Sequence, residues 1–175
     1  MKKYLFILTA LLFTVPALAD GVGVEVRPEV VARMYDGADQ ALGSGVNVDV
    51  KGLFPNENIV AITGFEAIST EVDSRVEGAD VDIVSSKIAI GYDYDVIGLF
   101  TARPYVGLDF AFINGEDSKS KNKIGQSIGL NVSRNLSDRV SAFLGLGYQF
   151  LDTRIGADKV DLSNFNWKSG ISVKF

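Results

Sequence analysis

Residues 140–150 read Val-Ser-Ala-Phe-Leu-Gly-Leu-Gly-Tyr-Gln-Phe, and residues 164–175 read Asn-Phe-Asn-Trp-Lys-Ser-Gly-Ile-Ser-Val-Lys-Phe. In the first stretch Val140, Ala142, Leu144, Leu146, Tyr148 and Phe150 share one parity, against Ser141, Gly145, Gly147 and Gln149. In the second, Phe165, Trp167, Ile171, Val173 and Phe175 alternate with Asn164, Asn166, Lys168, Ser172 and Lys174. Successive side chains of a strand point to opposite faces, so a period of two marks a strand with one apolar and one polar face. Both runs are long against the ~5–6 residues typical of soluble strands. They suit the ~9–11 residues of a tilted strand crossing a bilayer. Aromatic residues sit on the apolar parity near the strand ends, where interfacial girdles form.

Six further runs upstream alternate in the same way. The first sets Val22, Val24, Val26, Val30, Ala32 and Met34 against Glu25, Arg27, Glu29 and Arg33; the second sets Val46, Val48 and Val50 against Asn47, Asp49 and Lys51. The third, weakest run spans 59–69, with Glu66 on the parity of Val60, Ile62 and Ile68. The fourth opposes Ile88, Ile90, Tyr92 and Tyr94 to Lys87, Ala89, Gly91 and Asp93; the fifth opposes Val106, Leu108, Phe110 and Phe112 to Tyr105, Gly107, Asp109 and Ala111. The sixth sets Ile124, Ile128, Leu130 and Val132 against Gly125, Ser127, Gly129 and Asn131. Connections at 36–44, 70–80, 113–123 and 151–162 read as long, and those at 55–58, 95–101 and 135–138 as short. Alternating long loops and tight turns predict an all-β fold: an eight-stranded antiparallel up-and-down transmembrane β-barrel with both termini at the short-turn end. Pro28 falls inside the first run and lacks an N–H, which calls for a bulge or a later strand start.

The N-terminus reads as an export leader. Lys2 and Lys3 precede an apolar run from Tyr4 to Val15, and the stretch ends with Ala17 and Ala19 in small-x-small spacing. Cleavage after Ala19 divides the chain into a signal peptide, 1–19, and a barrel domain, 20–175. The leader removes two of seventeen basic residues and none of twenty-two acidic ones, which leaves a net −7. That balance argues against a nucleic-acid partner, which would want a basic face. The chain has no cysteine, so neither disulfides nor thiolate metal sites arise.

The segments Arg103-Pro104-Tyr105-Val106-Gly107-Leu108-Asp109, Ile128 to Ser133, Leu136 to Ser141 and Leu144 to Tyr148 resemble the small outer-membrane β-barrel family. This group includes opacity-type porin-family proteins, the OmpA transmembrane domain and OmpX. The resemblance implies an outer-membrane location in contact with lipid and lipopolysaccharide. Phe175, with Trp167, Ile171 and Val173 on the same face, resembles the C-terminal signal read by the barrel-assembly machinery.

Thirteen charged residues carry the inward parity: Glu25, Arg27, Glu29, Arg33, Asp49, Lys51, Glu66, Lys87, Asp93, Asp109, Arg139, Lys168 and Lys174. Six acids against seven bases predict mutual pairing and a plugged lumen, because an unpaired buried charge is costly. Inward Gly107, Gly125, Gly129, Gly145 and Gly147 leave room for long side chains from strands one, two and eight. The acidic stretch Glu71, Asp73, Glu77, Asp80 and Asp82 lacks calcium-loop spacing, so no metal or other cofactor is expected. The functional expectation is a structural and surface-interaction protein that uses its long loops toward an external ligand. A narrow porin is the alternative. A lipid-modifying enzyme ranks below both, because the chain has no histidine to serve as general base.

Overall fold

The computed structural model describes residues 22–35, 40–72, 79–115, 118–155 and 158–175; the leader, with Ala17 and Ala19, lies outside them. The strands are β1 (Gly23–Tyr35), β2 (Gln40–Lys51), β3 (Ile59–Val72), β4 (Ala79–Tyr92), β5 (Tyr94–Val96), β6 (Phe100–Gly115), β7 (Ser118–Asn135), β8 (Val140–Phe150), β9 (Asp152–Ile155), β10 (Asp158–Asp161) and β11 (Asn164–Lys174). β5 prolongs β4 beyond Asp93 in unchanged register along β6, and β9 pairs with β10 as a hairpin between β8 and β11. The other eight strands form the ring β1-β2-β3-β4-β6-β7-β8-β11, antiparallel throughout and closed between β11 and β1. The eight-stranded barrel read from the alternation is therefore the fold. Its terminal end gathers Gly23, Lys174 and the turns 52–58, 97–99 and 136–139; its loop end carries the other connections.

Closure leaves no strand edge in the ring, which is what a sheet within hydrocarbon requires. The C-terminus completes the seam: the Phe175 amide donates to the Val24 carbonyl at 2.8 Å, and that of Lys174 to the Arg139 carbonyl at 2.8 Å. Outward residues such as Leu42, Ile88, Val106, Ile124, Ile128 and Leu144 are each more than half exposed. An apolar belt of this extent has lipid as its partner phase. Aromatic pairs lie toward both ends: Tyr92–Tyr94 at 4.6 Å between ring centroids, Tyr148–Phe150 at 4.7 Å and Phe165–Trp167 at 5.7 Å. On the outward parity near the terminal end, Val24, Val26 and Val48 form a buried cluster with Val22, Val46 and Val50 against it.

Two local expectations are corrected. The segments 70–80 and 113–123, read as loops, begin and end as ladder: β3 and β4 stay paired to Val72 and Ala79, and β6 and β7 to Gly115 and Ser118, with a register shift between Ile113 and Gly115. Alternating hydrophobicity traces a strand only where one face meets lipid. Beyond that level the hydrogen-bonded ladder needs no apolar side chains, and the polar run from Ser118 to Lys123 continues it unseen. Pro28 imposes neither a bulge nor a late start. β1 keeps one register with β11 from Val26↔Val173 to Glu29↔Gly170, and only the pairing at Arg27 and Pro28 lapses. The ring tolerates one missing donor because the neighbouring ladder holds both strands in place.

Gly170 is part of that accommodation, since a Cβ there would collide with the Pro28 carbonyl oxygen. Gly170→Ala should therefore lower the temperature at which the folded, heat-modifiable band disappears on a detergent gel, with overpacking costing about 1–3 kcal/mol. Gly23→Ala, whose nearest neighbour is the Lys51 Cβ at 3.8 Å, should leave it unchanged. Equal effects would show that the seam is not tightly packed at this point.

A charged lumen as the candidate functional site

Parity puts a charged face inside the ring, and the ion pairs divide into two groups of three acids and three bases. The group nearer the terminal end joins Glu25 and Arg27 of β1, Asp49 and Lys51 of β2, Asp93 between β4 and β5, and Arg103 of β6. Glu25 and Asp49 stand directly opposite in the β1–β2 register, a like-charge pair that would be destabilising alone. Arg103 resolves this from the opposite wall of the ring. Its guanidinium pairs with Asp49, with Asp93 and, at 3.5 Å, with Glu25. Arg27 closes on Asp49 at 2.7 Å and lies over the Phe143 ring, 5.1 Å from its centroid.

The second group joins Glu29 and Arg33 of β1, Glu66 of β3, Lys87 of β4, Asp109 of β6 and Lys168 of β11. Glu66 is its centre, accepting from Arg33 and Lys168, with Lys87 at 3.9 Å. Lys168 also reaches Glu29 at 3.1 Å, and Lys87 also reaches Asp109 at 3.6 Å while lying 5.0 Å from the centroid of Tyr105. Asn47, Ser85, Ser127, Asn131, Gln149, Asn164 and Asn166 fill the spaces around the charges as buried neutral polar groups.

Eleven of the thirteen residues expected inside take part in these pairs. Arg139 does not: it lies exposed in the turn 136–139, because β8 begins only at Val140. Lys174 has the inward parity but sits at the rim, donating to Asn135 Oδ1 at 2.8 Å. Arg103, absent from the expected set, shares the parity of Tyr105, Gly107 and Asp109. It is legible as part of β6, and a fifth run that starts at Tyr105 misses it.

The glycine positions are filled less simply than expected. A Cβ at Gly129 or Gly147 would meet the Tyr105 hydroxyl, and one at Gly145 the Asn131 side chain, with Lys168 Cβ at 3.4 Å. Side chains of adjacent and next-adjacent strands therefore use the room. Between the two charge groups, a cavity of about 10 Å³ is lined by Arg27, Glu29, Asn47, Ile62, Lys87, Tyr105, Asn131 and Lys168. It has room for about one water molecule. Glu29, which lines it, has its Oε2 buried without a protein hydrogen-bond partner, and Asp109 Oδ2 and Ser127 Oγ are buried likewise elsewhere in the lumen.

Towards the loop end the interior turns apolar, which the reading of a polar lumen did not anticipate. Val31, Tyr35, Ala41, Ile68, Ile83, Ala111, Ile113, Leu151 and Leu162 form one buried cluster. Val31, Gly43, Ile68, Ile83 and Ile113 are cross-strand partners in sequence around half the ring. Leu151 and Leu162, which flank the β9–β10 hairpin, close the other half, with the Leu162 amide on the Leu151 carbonyl at 2.8 Å. Among the described residues no group of three or more potential metal ligands occurs.

Glu66→Gln should be strongly destabilising, since it leaves Arg33 and Lys168 buried with one partner fewer. Breaking such a pair costs about 3–5 kcal/mol, reduced where water enters the lumen. Lys174→Gln, at the exposed rim, should cost below about 1 kcal/mol. Thermal melts in detergent measure both, and equal, negligible shifts would rule out an energetic role for the inner group.

No protein-family model and no curated protein matches the chain. Its structure is similar to a major outer membrane protein of Thermus thermophilus, with TM-score 0.64, 16% identity, and 87% of this chain and 99% of that one covered. Neisserial surface protein A superposes with TM-score 0.63 at 13% identity, covering 89% and 98%. Ail, the attachment invasion locus protein of Yersinia pestis, solved in complex with the heparin analogue sucrose octasulfate, superposes with TM-score 0.57 at 13% identity, covering 88% and 97%. With the ring closed, its outer face apolar and its interior charged, the chain has the fold of the small eight-stranded outer-membrane barrels.

Proposed function

We propose that this protein is an integral outer-membrane barrel with a structural and surface-interaction role, that its lumen conducts neither ions nor solutes, and that it is not an enzyme. The observation that carries this reading is the double obstruction of the interior. Two neutral charge groups fill the lower and middle lumen, and an apolar cluster seals the loop end. An eight-stranded barrel has an interior just wide enough for its own side chains. A hydrated ion would have to break buried pairs and then pass a dry apolar constriction, which excludes water by dewetting.

In this reading the leader is cleaved after Ala19, the terminal end faces the periplasm, and the loop end meets lipopolysaccharide and an external ligand. Trp167, Ile171 and Phe175 present exposed apolar surface on β11 and at the chain's last residue, and with Val173 they engage the assembly machinery. Deleting Phe175 should reduce the folded protein recovered in outer-membrane fractions, and wild-type recovery would make the aromatic terminus incidental.

Conductance in planar bilayers tests the closed lumen. The wild-type protein should give small or no current. Leu151→Ser with Leu162→Ser should raise it only slightly, because the charge groups remain below. A large, steady wild-type conductance would favour the narrow porin instead.

A further inference from the structure

The turn between β5 and β6 is built unlike the other turns of the terminal end. Ile97 and Gly98 occupy its centre with φ of 58° and 66°, and the Leu99 amide donates to the Val96 carbonyl at 3.3 Å. Two successive residues with positive φ at the centre of the three-residue connection 97–99 form a tight turn of the kind whose centre favours Asn, Asp or Gly. A β-branched residue with positive φ is a genuine outlier and is strained there. Asp95 holds the loop in shape, its Oδ1 accepting from the Gly98 amide at 3.0 Å. Ile97 is nevertheless 89% exposed, so no packing within the barrel repays that strain.

The surroundings name an occupant. Ile88, Ile90, Tyr92, Tyr94 and Val96 form one outward stripe, because the β4–β6 register carries on through β5 without a shift. Phe100 lies opposite Val96 on the same face, and Leu99 at the tip is 59% exposed. The lipid-facing belt thus extends without interruption into the hairpin tip. The turn 136–139 is chiefly polar, with Ser137, Asp138 and Arg139 beside one exposed leucine, Leu136, whereas the turn 52–58 joins Leu53, Phe54 and Pro55 to Asn56, Glu57 and Asn58 without a strained residue at its centre. Beside the tip, the Arg134 guanidinium lies 5.8 Å from the centroid of Phe100 on the outward face. A cation over an aromatic ring at the edge of an apolar belt suits the headgroup layer, where the charge reaches lipid phosphates and the ring meets acyl chains.

We infer that the hairpin tip from Tyr94 to Phe100 is a lipid-seated foot: Ile97 and Leu99 insert into the headgroup–acyl boundary of the leaflet at the terminal end, and the Arg134 side chain, level with Phe100, extends outward past the ring to lipid phosphate. The inference rests on the barrel spanning a bilayer. The strained residue is retained because the turn must present a bulky apolar side chain outward, which glycine or asparagine would not supply.

The protein's single tryptophan, Trp167, makes the test direct. The full mature chain is folded into dioleoyl-phosphatidylcholine vesicles with and without bromine on the acyl chains, and tryptophan emission is followed with iodide as the aqueous quencher. The wild type reads the belt through Trp167. In a Trp167→Phe background, Ile97→Trp, and separately Leu99→Trp, read the tip; Ser137→Trp reads a polar turn on the same rim. Both tip reporters should show blue-shifted emission comparable to that of Trp167, quenching by shallow bromines and protection from iodide, with Ser137→Trp red-shifted and iodide-accessible. Tip reporters as red-shifted and iodide-accessible as Ser137→Trp, with Trp167 quenched by bromine, would overturn the foot while leaving the barrel spanning; the exposed tip would then await a protein partner. Absence of bromine quenching at Trp167 itself would overturn the spanning barrel and the foot together. Using two tip positions keeps the outcome independent of whether the left-handed site accepts tryptophan.

Discussion

Hydrocarbon offers no hydrogen bonds, and the rest of this molecule follows from that. A strand edge left open in a bilayer would expose a row of unpaired amides and carbonyls, each costing several kcal/mol. The sheet must therefore meet itself, and it does so between β1 and β11, with the Phe175 amide on the Val24 carbonyl as the last link. Closure with eight strands then sets the bore. A bore this narrow has to be filled by side chains, and strand alternation forces the filling to be the polar parity wherever the apolar parity faces lipid. The charged interior is in this sense a consequence of the seam.

That chain of constraint explains why the barrel is readable from one sequence. The alternation is written into every lipid-crossing segment, so strand number, closure and the inward position of residues such as Glu25, Asp49, Glu66 and Lys168 follow from counting parity. The misreadings fall where the lipid constraint ends. Arg139 lies one residue before β8 begins, in a turn where parity has no meaning. Arg103 lies at the start of β6, before the apolar alternation becomes obvious, so its parity escapes the count. The ladders continue beyond Ile68 and Ile113 to Val72 and Gly115, past the stretches where the alternation is counted.

The apolar cluster at the loop end is hidden for a related reason. Tyr35, Ile83, Leu151 and Leu162 belong to stretches at the margins of the alternating runs, and an apolar residue there has no lipid-facing partner set to be compared with. Their inward direction depends on the strands continuing past the belt, which only the three-dimensional ladder reveals. Once that is known, the division of labour in the interior is physical. Below the loop end, long charged side chains fill the bore and satisfy one another; nearer the loops, leucine, isoleucine, valine and alanine fill it, with the Tyr35 hydroxyl as the polar atom of the cluster.

The arrangement of charge into two locally neutral groups matters more than neutrality of the whole lumen. Coulomb attraction offsets desolvation only over short distances and with good geometry, so a lumen neutral in sum but segregated by sign would still bury uncompensated charge. Here each acid has a base from another strand within reach, and the bridging residues come from far around the ring: Arg103 of β6 to β1 and β2, Lys168 of β11 to β3. Such pairs cannot form until the ring is nearly closed. The paired interior therefore rewards the closed ring over an open sheet of the same strands, and it adds to the specificity of the barrel what the hydrogen-bonded seam alone would leave to backbone geometry.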